Sequence, residues 1–254
     1  MDVLVAVLFG LTFGSFLTVV VHRTPLRESI GRGRSRCPAC GAQIGARDNI
    51  PLASYALLRG RCRNCGVRIS PVYPFLEAST AVLFASAMLR YDDVAVAAVV
   101  APFLGILLAL AMVDLRHRIL PNAVVYPCLV LFAVAVVALD LAGRDANAFA
   151  AGLGFLAYGG GLLLIALIRP GGMGMGDVKL AALIGLVLGS QGLAVVAVAA
   201  ALGVLLGGVG GVVALAAGRA RKAALPYGPF LAAGAIAAAL WGAEIADAYL
   251  SLLS

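Results

Sequence analysis

The stretch VAVAAVVAPFLGILLALAMVDLRHR, residues 94–118, decides how the chain is read. Twenty uncharged residues run from Val94 to Val113, Asp114 follows at once, and Arg116, His117 and Arg118 stand just beyond it. About 20 apolar residues is the length a helix needs to cross the hydrocarbon core, where no water satisfies a backbone group that the helix leaves unpaired. Basic residues set against the end of such a run mark the side of the membrane on which it stops. A carboxylate at that depth costs about 2.5 to 3.5 kcal/mol at a helix centre, so it calls for a functional reason.

Working outward, comparable apolar runs lie near 3–21, 72–89, 123–139, 148–168, 178–190, 192–217 and 228–250, which predicts eight crossings. Of the 254 residues, 63% are hydrophobic and only 12% charged, and the mean hydropathy is +1.04. A soluble globular domain is excluded by that balance. Alanine, glycine and leucine suit helices packed through small residues, and the ten-residue alternation of a β-barrel is missing. The fold class expected is therefore an all-α polytopic membrane protein. Its first run opens MDVLVAVLFG, without a basic n-region or a small-residue cleavage site, and reads as a retained helix.

Residues 22–71 hold ten arginines against Glu28 and Asp48, a surplus of +8 beside a net charge of +7 for the whole chain. The positive-inside rule puts this loop in the cytoplasm and the N-terminus outside. Eight crossings then place LRHR (115–118), RP (169–170) and GRARK (218–222) inside, and YDD (91–93), the 140–147 loop and the C-terminus outside. Topology and anionic lipid account for the basic balance without nucleic acid. Three parts follow: a first transmembrane helix, 1–21; a cytoplasmic loop domain, 22–71; and a membrane domain, 72–254.

Within the loop stand CPACG and CRNCG, with Cys37, Cys40, Cys62 and Cys65. Two residues between paired thiolates let both meet one tetrahedral ion, and the glycine after each pair permits the tight turn. Disulfides are the competing reading, but the cytoplasm is reducing. Zinc in a ribbon-like loop is expected, structural because four sulfurs leave no open position. Cys128, in an apolar run, reads as a packing residue. Glu77 falls in the first turn of a helix and suits its dipole; Asp48 reads as a turn residue with Asn49 and Pro51.

Asp177 is the second carboxylate at a helix end, in RPGGMGMGDVKL, 169–180. Asp114 and Asp177 fall at the cytoplasmic ends of their helices, hence at similar depth. If the helices are neighbours, the carboxylates face each other, and two close carboxylates suit aspartyl-protease chemistry, one taking a proton from water while the other polarises the carbonyl. Asp177 at a helix N-terminus and Asp114 at a helix C-terminus predict Asp177 as the resting base. Gly174 and Gly176 remove side-chain bulk and leave room for a substrate strand. Lys179 belongs to the same loop but, two residues on, does not face Asp177 on a helix, and phosphate or lipid contact is its plainer role. The structural readings are Asp114 paired with Arg116 or Arg118, and Asp177 as a helix cap.

Six motifs in order resemble the type IV prepilin peptidases: GSFLTVVVHRTP (14–25), the knuckles with DNIP (48–51), SPVYPFLEAST (70–80), VDLRHRILPN (113–122), GMGMGDVKL (172–180) and LPYGPFL (225–231). The resemblance spans nearly the whole chain. It implies cleavage of a basic leader from pilin and pseudopilin precursors, after a glycine at the inner membrane surface. It also implies methylation of the new N-terminus, often phenylalanine, from S-adenosylmethionine, and ties the cysteine loop to members with both activities. On this chain it implies Asp114 and Asp177 as the catalytic pair and Gly174 and Gly176 as the glycine motif. Thr18 departs from the family's usual asparagine in GSFLNV and bears on methylation more than on cleavage. The alternative class is a proton- or cation-coupled transporter using Asp114 and Asp177; a scaffold with structural aspartates is a third.

Overall fold

The computed structural model describes residues 3–31, 33–169, 173–218 and 226–252; GRARK lies outside these apart from Gly218, as do Pro170, Gly171, Gly172 and Leu225 of the quoted motifs. The membrane part consists of α1 (Val3–Arg23), α3 (Val72–Arg90), α4 (Val94–His117), α5 (Asn122–Leu141), α6 (Ala148–Gly154), α7 (Gly161–Ile168), α8 (Met175–Gly189), α9 (Leu193–Ala216) and α10 (Gly228–Ser251). A π-helical segment, Phe155–Gly160, joins α6 to α7, so that Ala148–Ile168 is one rod. A short α2 (Ala53–Leu57) lies in the loop domain, and no strand occurs among the described residues.

Seven of these rods are long and apolar enough to cross a bilayer. The eighth expected crossing, α8, has only 15 residues, about 22 Å of helix. Its length is tolerable because it meets little lipid: ten of its residues are buried, and α5, the α6–α7 rod, α9 and α10 pack around it. The other interior helix is α4, with 72% of its apolar window buried, against 22 to 50% for the other six. Both candidate aspartates therefore ride on interior helices.

Small residues set the spacing. Gly10 and Gly14, one turn apart on α1, press on the α3 backbone at Ala81 and Glu77, where an added Cβ would meet main-chain carbon at 2.6 and 2.8 Å. Gly154 of α6 and Gly185 of α8 meet backbone to backbone in the same way. At the far end from the aspartates, the Tyr91 hydroxyl is 2.6 Å from both the Gln191 side-chain oxygen and the Ala239 carbonyl, while Arg90 pairs with Glu244 at 3.1 Å. Cys128 is buried among apolar side chains, as expected.

Glu77 does not stand in the first turn of its helix as expected: α3 begins at Val72, which makes Glu77 its sixth residue and removes the dipole as its reason. Only 9% exposed, its carboxylate accepts the Leu52 N–H at 2.9 Å and thereby anchors the loop domain to α3. Glu77→Ala leaves that N–H without its acceptor. It is expected to loosen the loop by about 1 to 3 kcal/mol, read as faster proteolysis between 50 and 60, while Glu77→Gln, which keeps an acceptor oxygen, largely preserves it.

Candidate active site

Asp114 occupies the last turn of α4 and is 6% exposed. No basic side chain pairs with it among the described residues, although Arg116 and Arg118 follow closely in sequence. Instead its Oδ2 accepts the Gly228 N–H, the first of α10, at 3.0 Å. Gly228 has to be glycine for this approach: a Cβ there would stand 2.7 Å from the same oxygen. Proline follows at 229, which suits a helix start where the N–H has no intrahelical partner.

Asp177 is the third residue of α8, whose cap is Gly174, so it is not itself the cap. Its side chain turns back toward the start of the helix, and a Cβ on Gly174 would come within 3.1 Å of its Oδ2. Gly176 is filled from the other side by Leu120, in the α4–α5 corner, at 2.9 Å from a virtual Cβ. Close packing against a neighbouring corner, rather than room for a strand, explains Gly176. Lys179 points away from Asp177: its Nζ donates to Asn122 Oδ1 at 2.8 Å and lies 5.0 Å from the Tyr126 ring centre. It fastens α8 to α5, which removes the need for a phosphate or lipid partner.

The two carboxylates are electrostatic neighbours. They do not get there by their own helices packing along each other, since α10 packs against both α4 and α8 and stands as the common partner. From the α10 start, Gly228 reaches Asp114 and Tyr227 comes within electrostatic reach of Asp177. This changes the expected asymmetry. Asp114 ends its own helix but faces the N-terminus of another, so both carboxylates meet backbone donors at helix starts, and helix ends alone do not assign base and acid.

The four cysteines converge. Their sulfurs lie within 4.8 Å of one another, and Cys37 and Cys65 are 3.8 Å apart, about the S···S edge of a tetrahedron with Zn–S bonds of about 2.3 Å. Each knuckle repeats the same backbone pattern. Cys37 N–H donates to Ala42 and Gly41 N–H back to Cys37; Cys62 N–H donates to Val67 and Gly66 N–H back to Cys62. Gly41 and Gly66 take positive φ, +69° and +72°, where a side chain is strained. Backbone N–H groups of Cys40 and then Ala39 hold the Cys37 thiol down to about 6, while, against the Val67 backbone, burial and the neighbouring sulfurs push Cys65 up to about 11, so without a metal the thiolate is concentrated on Cys37. The donor set and geometry fit zinc, and the expected ribbon-like loop is what the chain builds.

Asp48 belongs to this loop, not to the aspartate pair. It takes a bidentate contact from Arg63, with Nη2–Oδ1 at 2.6 Å, which ties the Ala46–Asp48 turn to the second knuckle. Hydrogen bonding from Arg63, with its charge in support, keeps the Asp48 carboxyl below its usual range. The tie is therefore complete at neutral pH and is lost only as acid protonates Asp48 below that range. Cys62→Ser is expected to release zinc and expose the loop to protease while leaving the helical content intact, read by metal analysis and circular dichroism.

With this geometry in hand, comparison with known proteins is informative. The Bacterial Peptidase A24 N-terminal domain matches residues 8–91, and the Type IV leader peptidase family matches residues 101–212, a span holding both Asp114 and Asp177. A prepilin leader peptidase/N-methyltransferase of Bacillus subtilis is 36% identical over 246 residues, covering 96% of each chain. The chain belongs to the type IV leader peptidase family. A second prepilin leader peptidase/N-methyltransferase, from Pseudomonas aeruginosa, is 34% identical over 273 residues, covering 98% of this chain and 93% of its own. No solved structure matches. Family membership favours a leader peptidase over an ion-coupled transporter.

Thr18, the departure in the α1 motif, is buried and donates its hydroxyl to Ser15 O at 2.7 Å. It borders a cavity of about 270 Å³ between α1, α3 and α4, which His22, Tyr73, Arg116 and His117 also line. Sequence reasoning missed Gly228 and Tyr227 as parts of the site, though LPYGPFL had been noted as a motif; a glycine next to a helix-starting proline was the available signal.

Proposed function

We propose that the chain is a membrane aspartyl endopeptidase that removes the leader from type IV prepilins or pseudopilins, with Asp114 and Asp177 as its catalytic pair. The observation that carries this reading is that two carboxylates at the ends of two interior helices lie within electrostatic reach of each other, one of them held by the first N–H of a third. In the resting pair one group is ionised and one protonated, since close like charges disfavour double ionisation.

The ionised group takes a proton from water as the water oxygen bonds to the peptide carbonyl carbon. The protonated partner gives its proton to the carbonyl oxygen. Collapse of the tetrahedral intermediate breaks the C–N bond: the leaving amine takes the proton that came from water, and one hydroxyl of the intermediate returns its proton to the other carboxylate, which resets the pair. Gly228 N–H holds Asp114 in place through these exchanges, and Gly174 keeps space open beside Asp177.

Positive-inside topology supports a bacterial inner membrane location, with the zinc loop and both aspartates on the cytoplasmic side, where a precursor's basic leader meets its apolar helix. Three parts follow, as the sequence suggested: helix 1–21, zinc loop 22–71 and peptidase domain 72–254. Zinc on Cys37, Cys40, Cys62 and Cys65 supplies a fixed crosslink that folds a loop with almost no buried apolar side chains.

The relatives' second activity suggests a site for S-adenosylmethionine. The cavity beside Thr18 suits its amino-acid end, where Arg116, His22 and His117 can face a carboxylate. When bound, the donor supplies a methyl group for the new N-terminal amine. Arg116→Gln is expected to weaken donor binding, measured by equilibrium dialysis, by about tenfold, the scale of one charge-assisted hydrogen bond. Leader release from a purified precursor, followed by mass spectrometry, tests the peptidase reading; intact precursors after incubation with folded, zinc-loaded protein overturn it.

A further inference from the structure

Tyr158 has no assigned part in this chemistry, yet its hydroxyl, like the Gln191 side-chain nitrogen, is buried without a hydrogen-bond partner among the described residues. Tyr158 sits in the π-helical segment Phe155–Gly160 and is 6% exposed. A buried polar atom left unpaired costs free energy, and phenylalanine would fill the same space without that cost. Single π turns recur at functional sites because they re-aim side chains that an α-helix would place elsewhere.

The hydroxyl is aimed along a specific path. It lies over Gly203 of α9, 3.3 Å from where a Cβ would stand. One turn further along the same face, Gly207 receives the ring of Tyr227. Tyr227 is the residue before α10, beside Gly228, and it is an electrostatic neighbour of both Tyr158 and Asp177. Tyr158 and Tyr227 are thus seated one turn apart along the same face of α9, with Tyr227 on the side from which it senses the Asp177 charge. Around Tyr158 the walls are apolar or glycine: Ala182 packs on neighbouring Gly159, and Leu231 borders Gly203.

We infer that Tyr158 is a positioning residue for peptide hydrolysis, holding with Tyr227 a water molecule in line with Asp177. Each cleavage consumes one water at a depth where bulk water is scarce, and a buried water needs two to four polar partners. The two tyrosine hydroxyls supply two, and Asp177 lies within electrostatic reach of Tyr227. The inference rests on the reading of Asp177 as catalytic.

The test is leader cleavage by full-length, zinc-loaded Tyr158→Phe protein beside wild type and Tyr227→Phe, with kcat and KM determined separately and thermal unfolding followed in the same detergent. The expected result for Tyr158→Phe is a fall in kcat of about tenfold with KM unchanged. Its unfolding temperature should be equal or higher, since the lost hydroxyl had no protein partner. The Tyr158→Phe/Tyr227→Phe double variant should fall no further than the weaker single, because both act through one water. Wild-type kcat in Tyr158→Phe, or a raised KM at constant kcat, would overturn the assignment. A wild-type protein that releases no leader at all would instead overturn the peptidase reading beneath it.

Discussion

Asp114→Asn and Asp177→Asn are each expected to lose leader cleavage by about 10³- to 10⁴-fold while remaining folded. Asparagine has nearly the shape of aspartate and keeps an oxygen that can accept the Gly228 N–H. It can neither take a proton from water nor deliver one to a carbonyl, so chemistry is lost and packing is kept. The double variant should be about as inactive as either single one, because the pair moves protons as a unit. Equal zinc content and unfolding temperature in all four proteins separate this from a folding defect. A variant retaining more than about a tenth of wild-type kcat would remove its aspartate from the mechanism.

Gly228→Ala is the second large effect, expected at about 100-fold in kcat with little change in KM. The added Cβ would stand 2.7 Å from Asp114 Oδ2, too close for both to stay. The carboxylate must swing away and lose the Gly228 N–H, and a displacement of about 1 Å at a reacting group costs about 10²-fold. Stability should fall by no more than about 1 to 3 kcal/mol, the cost of leaving the buried carboxylate without that donor, because Gly228 opens α10 and alanine brings little of its interior helix propensity there. A large kinetic defect in protein that still folds and holds zinc is therefore the signature. Full activity in Gly228→Ala would mean that Asp114 works from another position and that α10 does not set the pair.

Much of this was legible in the chain itself. A run such as 94–118 carries its own length and its own charge boundary, so crossings and the depth of Asp114 can be read locally. The knuckles are legible for the same reason: CxxCG encodes a turn and two ligands within five residues, and Gly41 and Gly66 take the conformations that pattern requires. What could not be read is adjacency between distant helices. The α4 and α8 carboxylates come within electrostatic reach of each other beside α10, more than 50 residues beyond Asp177 and 114 beyond Asp114, and nothing local announces that arrangement. The 15 residues of α8 look short for a crossing until its burial is known.

Side-chain partners were also hidden. Glu77 reads as a residue suited to a helix start, but α3 already begins at Val72, and its acceptance of the Leu52 N–H depends on where a loop 25 residues earlier returns. Asp48 was readable as a turn residue, and its bidentate hold on Arg63 depends on the fold of the second knuckle. Lys179 was grouped with the aspartate loop by sequence and is directed by helix phase to Asn122 and Tyr126. The π segment that turns Tyr158 inward leaves no mark in FLAYGG that an α-helix would not share.

The most direct test is the intact mass of a prepilin carrying a basic leader after incubation with purified wild-type protein and with Asp177→Asn, zinc being measured in both. The expected result is a leader-free product with wild type alone. Unchanged precursor with folded, zinc-loaded wild type, or equal cleavage by Asp177→Asn, would contradict the assignment of the two aspartates as the active site.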